Sequence, residues 1–253
     1  MSKIKLDALC AYLNEFLDAQ SFKDYCPNGL QVEGKENIAK LAIGVSASLE
    51  TIREAIEQDA DALLVHHGMF WQRDPQPVVG VKKEKLHLLL ENELSLIAFH
   101  LPLDAHRKCG NNWKAAIDLG WKDLQPFALF DGVFVGVKGK VDAINREAFV
   151  AQLEKYYGHK AHTALGGEKV INNVGLVSGG AYKVIHDAAE QNIDCFITGN
   201  FDEPVWHDAF ELGINFCALG HSATERIGPM ALGKHLEEKF AIECLFIDVF
   251  NPF

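Results

Sequence analysis

At 253 residues, 48% hydrophobic and 23% charged, the chain is long enough for one large α/β domain or two small ones. A net charge of −11, with no basic run longer than Lys82-Lys83, excludes broad binding to a nucleic-acid backbone. No apolar run approaches the roughly 18 residues of a membrane span, and nothing before Asp7 and Glu15 resembles a signal block.

The six cysteines are scattered without a C-x-x-C pair, and Cys195 and Cys217 fall inside apolar runs. Reduced core thiols and a cytoplasmic location are therefore expected, with neither membrane nor nucleic acid as a partner.

Leu6, Leu9, Cys10, Leu13, Phe16 and Leu17 follow helical spacing, so an amphipathic helix opens the chain. Cys26-Pro27-Asn28-Gly29 breaks it with turn chemistry. Lys40 to Ser46 reads as a buried strand, Leu49 to Gln58 as a helix and Ala62 to Val65 as the next strand. A loop with Pro75 and Pro77 leads to a helix over about Lys82–Asn92 and a strand over Leu96–Phe99. After a loop through Pro102, a helix begins near Asn111 or Asn112, either of which suits the cap.

Gly132 to Val141 is strand-like, and Asn145 caps a helix running to Tyr157. Asn173 to Ser178, Ile193 to Thr198, Ile214 to Leu219 and Ile242 to Val249 read as strands. Tyr182 to Gln191, Glu203 to Leu212 and Ala223 to Phe240 read as the helices between them. This alternation implies α/β architecture with mixed sheets flanked by helices.

The alternation hides a repeat. Val45-Ser46, a helix and Glu57 to Val65 resemble Val177-Ser178, a helix and Glu190 to Thr198, once a single-residue gap is allowed. In each half the next strand then ends in a histidine with an acid four residues on: His100 with Asp104, and His221 with Glu225. Where the first half has His66-His67-Gly68, the second has Gly199-Asn200. We expect duplicated βαβ-type halves, residues 1–125 and 126–253, sharing one metal site.

In open α/β sheets, ligands bind beyond the carboxyl ends of the strands. Neighbouring residues within a strand face opposite ways, so His66 and His67 are expected just past the strand end, where Gly68 lets both rings turn into one cavity. Imidazole with carboxylate favours Zn, Fe, Ni, Co or Mn over Ca or Mg. Three or four histidines with two acids exceed one four-coordinate ion and suit two ions sharing an acidified water. His100 is open to three roles: ligand, support for a ligand, or acid–base group. The remaining histidines, His106 near Asp104 included, have no matched partners. Met69-Phe70-Trp71 reads as packing, and Ser178-Gly179-Gly180 as a tight turn rather than a phosphate loop.

Four blocks carry a family resemblance: Val65–Trp71 (V-H-H-G-M-F-W), His100–Asp104 (H-L-P-L-D), Phe196–Gly199 and Gly220–Arg226 (G-H-S-A-T-E-R). Together they resemble the Nif-three-like family, whose bacterial members are often labelled GTP cyclohydrolase 1 type 2 homologues. The likeness spans essentially the whole chain. It implies a duplicated α/β fold, a dinuclear metal centre at the strand ends and a toroidal homohexamer. It also implies metal ligands at His66, His67, Asp104, His221 and Glu225, one carboxylate bridging. Some relatives carry His-Thr-Asn where this chain has His100-Leu101-Pro102, so the loop there is expected to be shaped differently.

The activity expected on these grounds is metal-dependent hydrolysis of a C–N bond in a nucleotide-like ring, with His100 moving protons and two divalent cations per subunit. A non-catalytic metal-binding scaffold or metallochaperone is the alternative. Phosphoester hydrolysis ranks below both, because only Arg107 and Arg226 lie near the motifs.

Overall fold

A computed structural model describes residues 2–253. The chain divides into two compact units, one running up to Leu103 and resuming over Gly228–Phe250, the other made of Asp104–Ile227 and Asn251–Phe253. This is not the expected division at 125/126. The reason lies in strand pairing: Glu243–Phe246 lies parallel beside Lys40–Ser46, which returns the end of the chain to the first sheet.

Among the described residues of the first unit, the main sheet runs Glu243–Phe246, Lys40–Ser46, Ala62–His67, Ser95–Ala98, Gly29–Val32. All neighbours are parallel except the last pair. Parallel strands with both faces covered read as continuous apolar runs, as Leu41 to Ile43 and Leu63 to Val65 do. Helix Leu49–Glu57 starts at Ser48, whose side chain accepts from Thr51 N–H, and it buries Ile52 and Ala55. With Leu63, Val65, Leu89 and Leu96 these residues form the unit's core.

The second unit's sheet runs Lys122–Phe130, Val133–Asn145, Val170–Leu176, Cys195–Thr198, Asn215–Ala218, His162–Leu165. The pairs among Val170–Leu176, Cys195–Thr198 and Asn215–Ala218 are parallel, and the flanking pairs are antiparallel. Asn145 does cap its helix, accepting from Glu147 and Ala148 N–H. Asn111 and Asn112 do not cap theirs. Gly110 holds the cap position of helix Asn111–Asp118, and both asparagines are fully buried in its first turn.

Three other expectations shift. The strand begun at Ala62 runs through His67 rather than ending at Val65, and the loop expected after His100 is a five-residue helix, Leu101–Ala105. The long helix expected over Ala223–Phe240 is broken at Arg226 into His221–Glu225 and Ile227–Phe240. No helix among the described residues is long and apolar enough to cross a membrane.

The repeat is visible in hydrogen bonding. Asp61 Oδ2 accepts from Ala39 and Lys40 N–H, and Asp194 Oδ2 accepts from Asn172 and Asn173 N–H. Each aspartate donates its own N–H to the strand before it (Lys40 O, Asn173 O), and its carbonyl accepts from the strand after it (Ser95 N–H, Asn215 N–H). Asp61 therefore stands where Asp194 stands, and no single-residue gap is needed between the paired strands. Phe99 N–H to Val65 O repeats as Leu219 N–H to Thr198 O, which extends the register to the strand ends. His66-His67 then falls at Gly199-Asn200, as the sequence reads. His100, however, falls at Gly220 and Asp104 at Thr224. The two H-x-x-x-D/E segments are offset by one residue.

Burial pushes the Asp61 carboxyl up, but hydrogen bonds from Lys35 and from the Ala39 and Lys40 N–H groups outweigh it and hold the group below its usual value. A depressed carboxyl stabilises the fold above its unfolded value of about 3.9, and that contribution is lost as pH falls through the folded value. Asp61→Asn is expected to cost about 2 kcal/mol at pH 7, the scale of a hydrogen bond to a charged group. The gap from the parent should shrink in acid. Thermal unfolding at pH 7 and pH 3 checks this; an equal gap at both contradicts it.

Candidate metal centre

In the first unit, three imidazoles gather where parallel strands end. His66 is fully buried and its Nδ1 donates to the Phe99 carbonyl at 3.0 Å. His67 Nδ1 lies 3.0 Å from Ser46 Oγ. His66 is thus anchored to the residue that follows strand Ser95–Ala98 and His67 to strand Lys40–Ser46, yet their ring centroids are 4.7 Å apart. They can meet because Ser95–Ala98 stops pairing opposite Val65, leaving the last two residues open on that side.

His100 completes the group. Its centroid is 5.0 Å from that of His66 and 5.7 Å from that of His67. One nitrogen from each of the three rings lies within 4.8 Å of the others, a set able to hold a metal ion. Gly68 makes room for Gln31 just after the strand, because a Cβ would come within 2.3 Å of the Gln31 amide. That amide is occupied: its oxygen accepts from Met69 N–H and its nitrogen donates to Pro27 O.

In the second unit, His221 and Glu225 open and close a five-residue helix, with His221 Nε2 at 3.0 Å from Glu225 Oε2. Asn200 Oδ1 accepts from His221 Nδ1 at 3.1 Å. Glu225 is 3% exposed and Asp104 6%, so both acids are buried well beyond what an ordinary surface carboxylate shows. Asp104 Oδ1 accepts from Asn111 Nδ2 and Ser178 Oγ, each at 2.8 Å. Asn112 fixes Ser178 in turn, accepting its N–H at 2.7 Å.

One pattern runs through all four imidazoles: each has Nδ1 engaged by an oxygen, namely Phe99 O, Ser46 Oγ, Asp24 Oδ1 and Asn200 Oδ1. Carbonyl, carboxylate and amide oxygens only accept, so at His66, His100 and His221 the proton is placed on Nδ1 and the Nε2 lone pair is presented; the Ser46 hydroxyl both donates and accepts, so it orients the His67 ring without fixing its tautomer. This is how proteins orient histidine toward a metal. The donors therefore fit a divalent transition ion with nitrogen and oxygen ligands.

The expected residues group by unit, His66, His67 and His100 in one, Asp104, His221 and Glu225 in the other. His106 takes a local role, its Nδ1 accepting from Cys109 N–H. The supporting residues were not anticipated. Asn111 and Asn112 stood out only as caps, and Gly199-Asn200 only as a missing pair of ligands, although Asn200 orients His221. Asp24 carried no signal at all, because its partner lies 76 positions away. It makes a dense set of contacts, accepting from His100 Nδ1 (2.7 Å), Tyr25 N–H (2.6 Å), Leu101 N–H (2.9 Å) and Asn28 Nδ2 (3.0 Å). Burial pushes the Asp24 carboxyl up, but hydrogen bonds from His100, Asn28 and Leu101 outweigh it and hold the group below its usual value.

The chain is similar to known proteins over nearly its full length. A protein of Chlamydia pneumoniae named "GTP cyclohydrolase 1 type 2 homolog" is 46% identical over 247 residues, covering 97% of this chain and 98% of that one. A protein of the same name from Chlamydia muridarum is 49% identical, covering 95% and 96%. Among solved structures, TTHA1606 from Thermus thermophilus superposes with a TM-score of 0.92 at 34% identity, covering 99% of this chain and all of its own. The protein ybgI, described as of unknown function, does so with the same score at 37% identity and the same coverage. The model of the family Duf34/NIF3 (NGG1p interacting factor 3) matches residues 4–252, and the chain belongs to that family.

Proposed function

We propose that the donors of both units close on one pair of divalent ions, and that the chain hydrolyses a C–N bond in a nucleotide-like ring. The observation that carries this reading is the pair of imidazoles, His66 and His221, with Nδ1 tied to an accepting oxygen and the Nε2 lone pair left to face an ion. His66, His67, Asp104, His221 and Glu225 would hold the ions, more donors than a single four-coordinate ion takes. Such ions would supply Lewis-acid polarisation and neutralise the charge that develops on the attacked centre. The relatives' name, which includes "GTP cyclohydrolase", supports a purine nucleotide as the candidate substrate.

In the reaction proposed, water adds to a ring carbon, a C–O bond forms and the C–N bond breaks. The leaving ring nitrogen needs a proton, and His100 is the residue proposed to deliver it. Trp71 meets His100 edge-on at 5.1 Å and Tyr25 lies 6.4 Å away, so two rings border the imidazole and offer faces for a planar base.

Protein loaded in turn with Zn, Mn, Fe, Co and Ni is expected to convert GTP to a ring-opened product separable by chromatography. No product with any metal overturns the hydrolase reading. Bound ions without turnover would point to a metal-binding scaffold instead. Cleavage of a phosphodiester in the same panel would point to the phosphoesterase.

A further inference from the structure

The four imidazoles share a pattern but not a partner. His66, His67 and His221 face a carbonyl, a hydroxyl and an amide, all neutral. At Nδ1 only His100 faces a carboxylate, since His221 meets Glu225 through Nε2, and the Asp24 carboxylate is buried, its side chain 2% exposed beside a ring that is 13% exposed. A neutral acceptor fixes a tautomer. A carboxylate also stabilises the imidazolium, which a proton carrier must become and a metal ligand cannot.

Asp24 is built to stay in place. Both of its oxygens are saturated: Oδ1 by His100 Nδ1, Tyr25 N–H and Cys26 N–H, Oδ2 by Leu101 N–H and Asn28 Nδ2. Every partner is a donor, so the site demands a group that only accepts. The same turn also grips the backbone at His100, since Asn28 Oδ1 accepts the His100 N–H at 2.8 Å. A second tie joins it to the chain beyond the double histidine. Gln72 N–H donates to Tyr25 O and Gln72 Nε2 to Asp24 O, both at 2.9 Å. Ring, backbone and neighbouring loop are thus fixed by one short segment after the first helix.

We infer that Asp24 is the positioning residue of His100, holding it in the Nδ1–H tautomer with Nε2 turned to the His66–His67 donors, so that His100 serves in proton transfer and not among the ion's ligands. The inference rests on the acid–base role proposed for His100. Its test uses readouts that do not require turnover.

Zinc content per chain and solid-state 15N spectra of zinc-loaded protein with labelled histidine are measured for the parent, Asp24→Asn, Asp24→Glu and His100→Gln, the last assigning the His100 signals. His67→Ala serves as the reference for a lost ligand. The parent is expected to show His100 protonated at Nδ1. Asp24→Asn should show both tautomers, because an amide can offer Nδ1 either its oxygen or its NH2. Asp24→Glu, which keeps an acceptor-only group, should restore the single form. Zinc content should match the parent in all three variants.

A zinc loss in Asp24→Asn or His100→Gln as large as in His67→Ala overturns the inference, because His100 is then a ligand. So does an Nε2–H tautomer in the parent, a result that needs no variant to fold, or an unchanged Nδ1–H form in Asp24→Asn. Failure of the hydrolase reading looks different, with the zinc and tautomer results intact and no product formed.

Discussion

Elemental analysis of the His67→Ala protein is expected to find one divalent ion per chain or none, where two are expected in the parent. His67 is half-buried at the last position of its strand, and one of its ring nitrogens lies within 4.8 Å of a nitrogen of His66 and one of His100. Removing one imidazole from an ion's ligands leaves too few protein donors for tight binding. The loss should not come from unfolding. The hydrogen bond with Ser46 Oγ that is forfeited is worth about 1 kcal/mol, and the neighbouring rings of His66, Trp71 and His100 stay in place. Circular dichroism on the same samples separates the two causes. Two ions retained in a folded variant would remove His67 from the ligands.

A comparable loss is expected from Gly179→Ala, a residue that carries no donor. Gly179 has φ +66, and a Cβ there would come within 2.0 Å of Glu225 Oε1 and 3.2 Å of His221 Nε2. The left-handed conformation alone costs a non-glycine residue about 1–2 kcal/mol. The contact with the carboxylate adds to this and must displace Glu225, which is 3% exposed and has little room to move. The control is Gly213→Ala, because Gly213 has φ +67 with nothing within 4 Å of its Cβ position. Both variants should melt several degrees below the parent, in line with a shift of roughly 2–4 °C per kcal/mol for a chain of this size. Only Gly179→Ala should lose bound metal. Full metal content in that variant would contradict the placement of Glu225 among the ligands.

The contrast between Gly179 and Gly213 bears on what a sequence displays. Both are glycines after an element, and nothing in Ser178-Gly179-Gly180 distinguishes a tight turn from a cradle for a carboxylate. The candidate donors are legible, because strand-terminal histidines and acids at matched spacing are a local pattern. Their supports are not. Asp24, Ser46 and Asn200 reach their imidazoles from 76, 21 and 21 positions away, and only pairing of the strands brings them there.

The strands divide in the same way. Central strands such as Lys40–Ser46 and Cys195–Thr198 announce themselves by unbroken apolar runs. Gly29–Val32, Lys122–Phe130 and His162–Leu165 escaped notice, and all three are sheet edges paired antiparallel on one side only. Edge strands carry charge, proline or few residues because this discourages pairing with another chain, and Lys122, Asp123 and Pro126 show it. The one-residue offset of the two histidine–acid segments was hidden for another reason. An equal spacing in sequence does not reveal which residue of each segment pairs with the strand before it.

The return of Glu243–Phe246 to the first sheet has a consequence for synthesis. Nearly all of the second unit, Asp104–Ile227, is continuous and is complete once Ile227 has left the ribosome. The first unit is begun earlier but cannot close until Gly228–Phe250 has been made. Domains usually fold in the order of their emergence; in this chain the unit that starts first finishes last. Until then the Lys40–Ser46 strand has an open edge where Glu243–Phe246 will pair, so nascent chains stalled before Gly228 are the stage most exposed to aggregation.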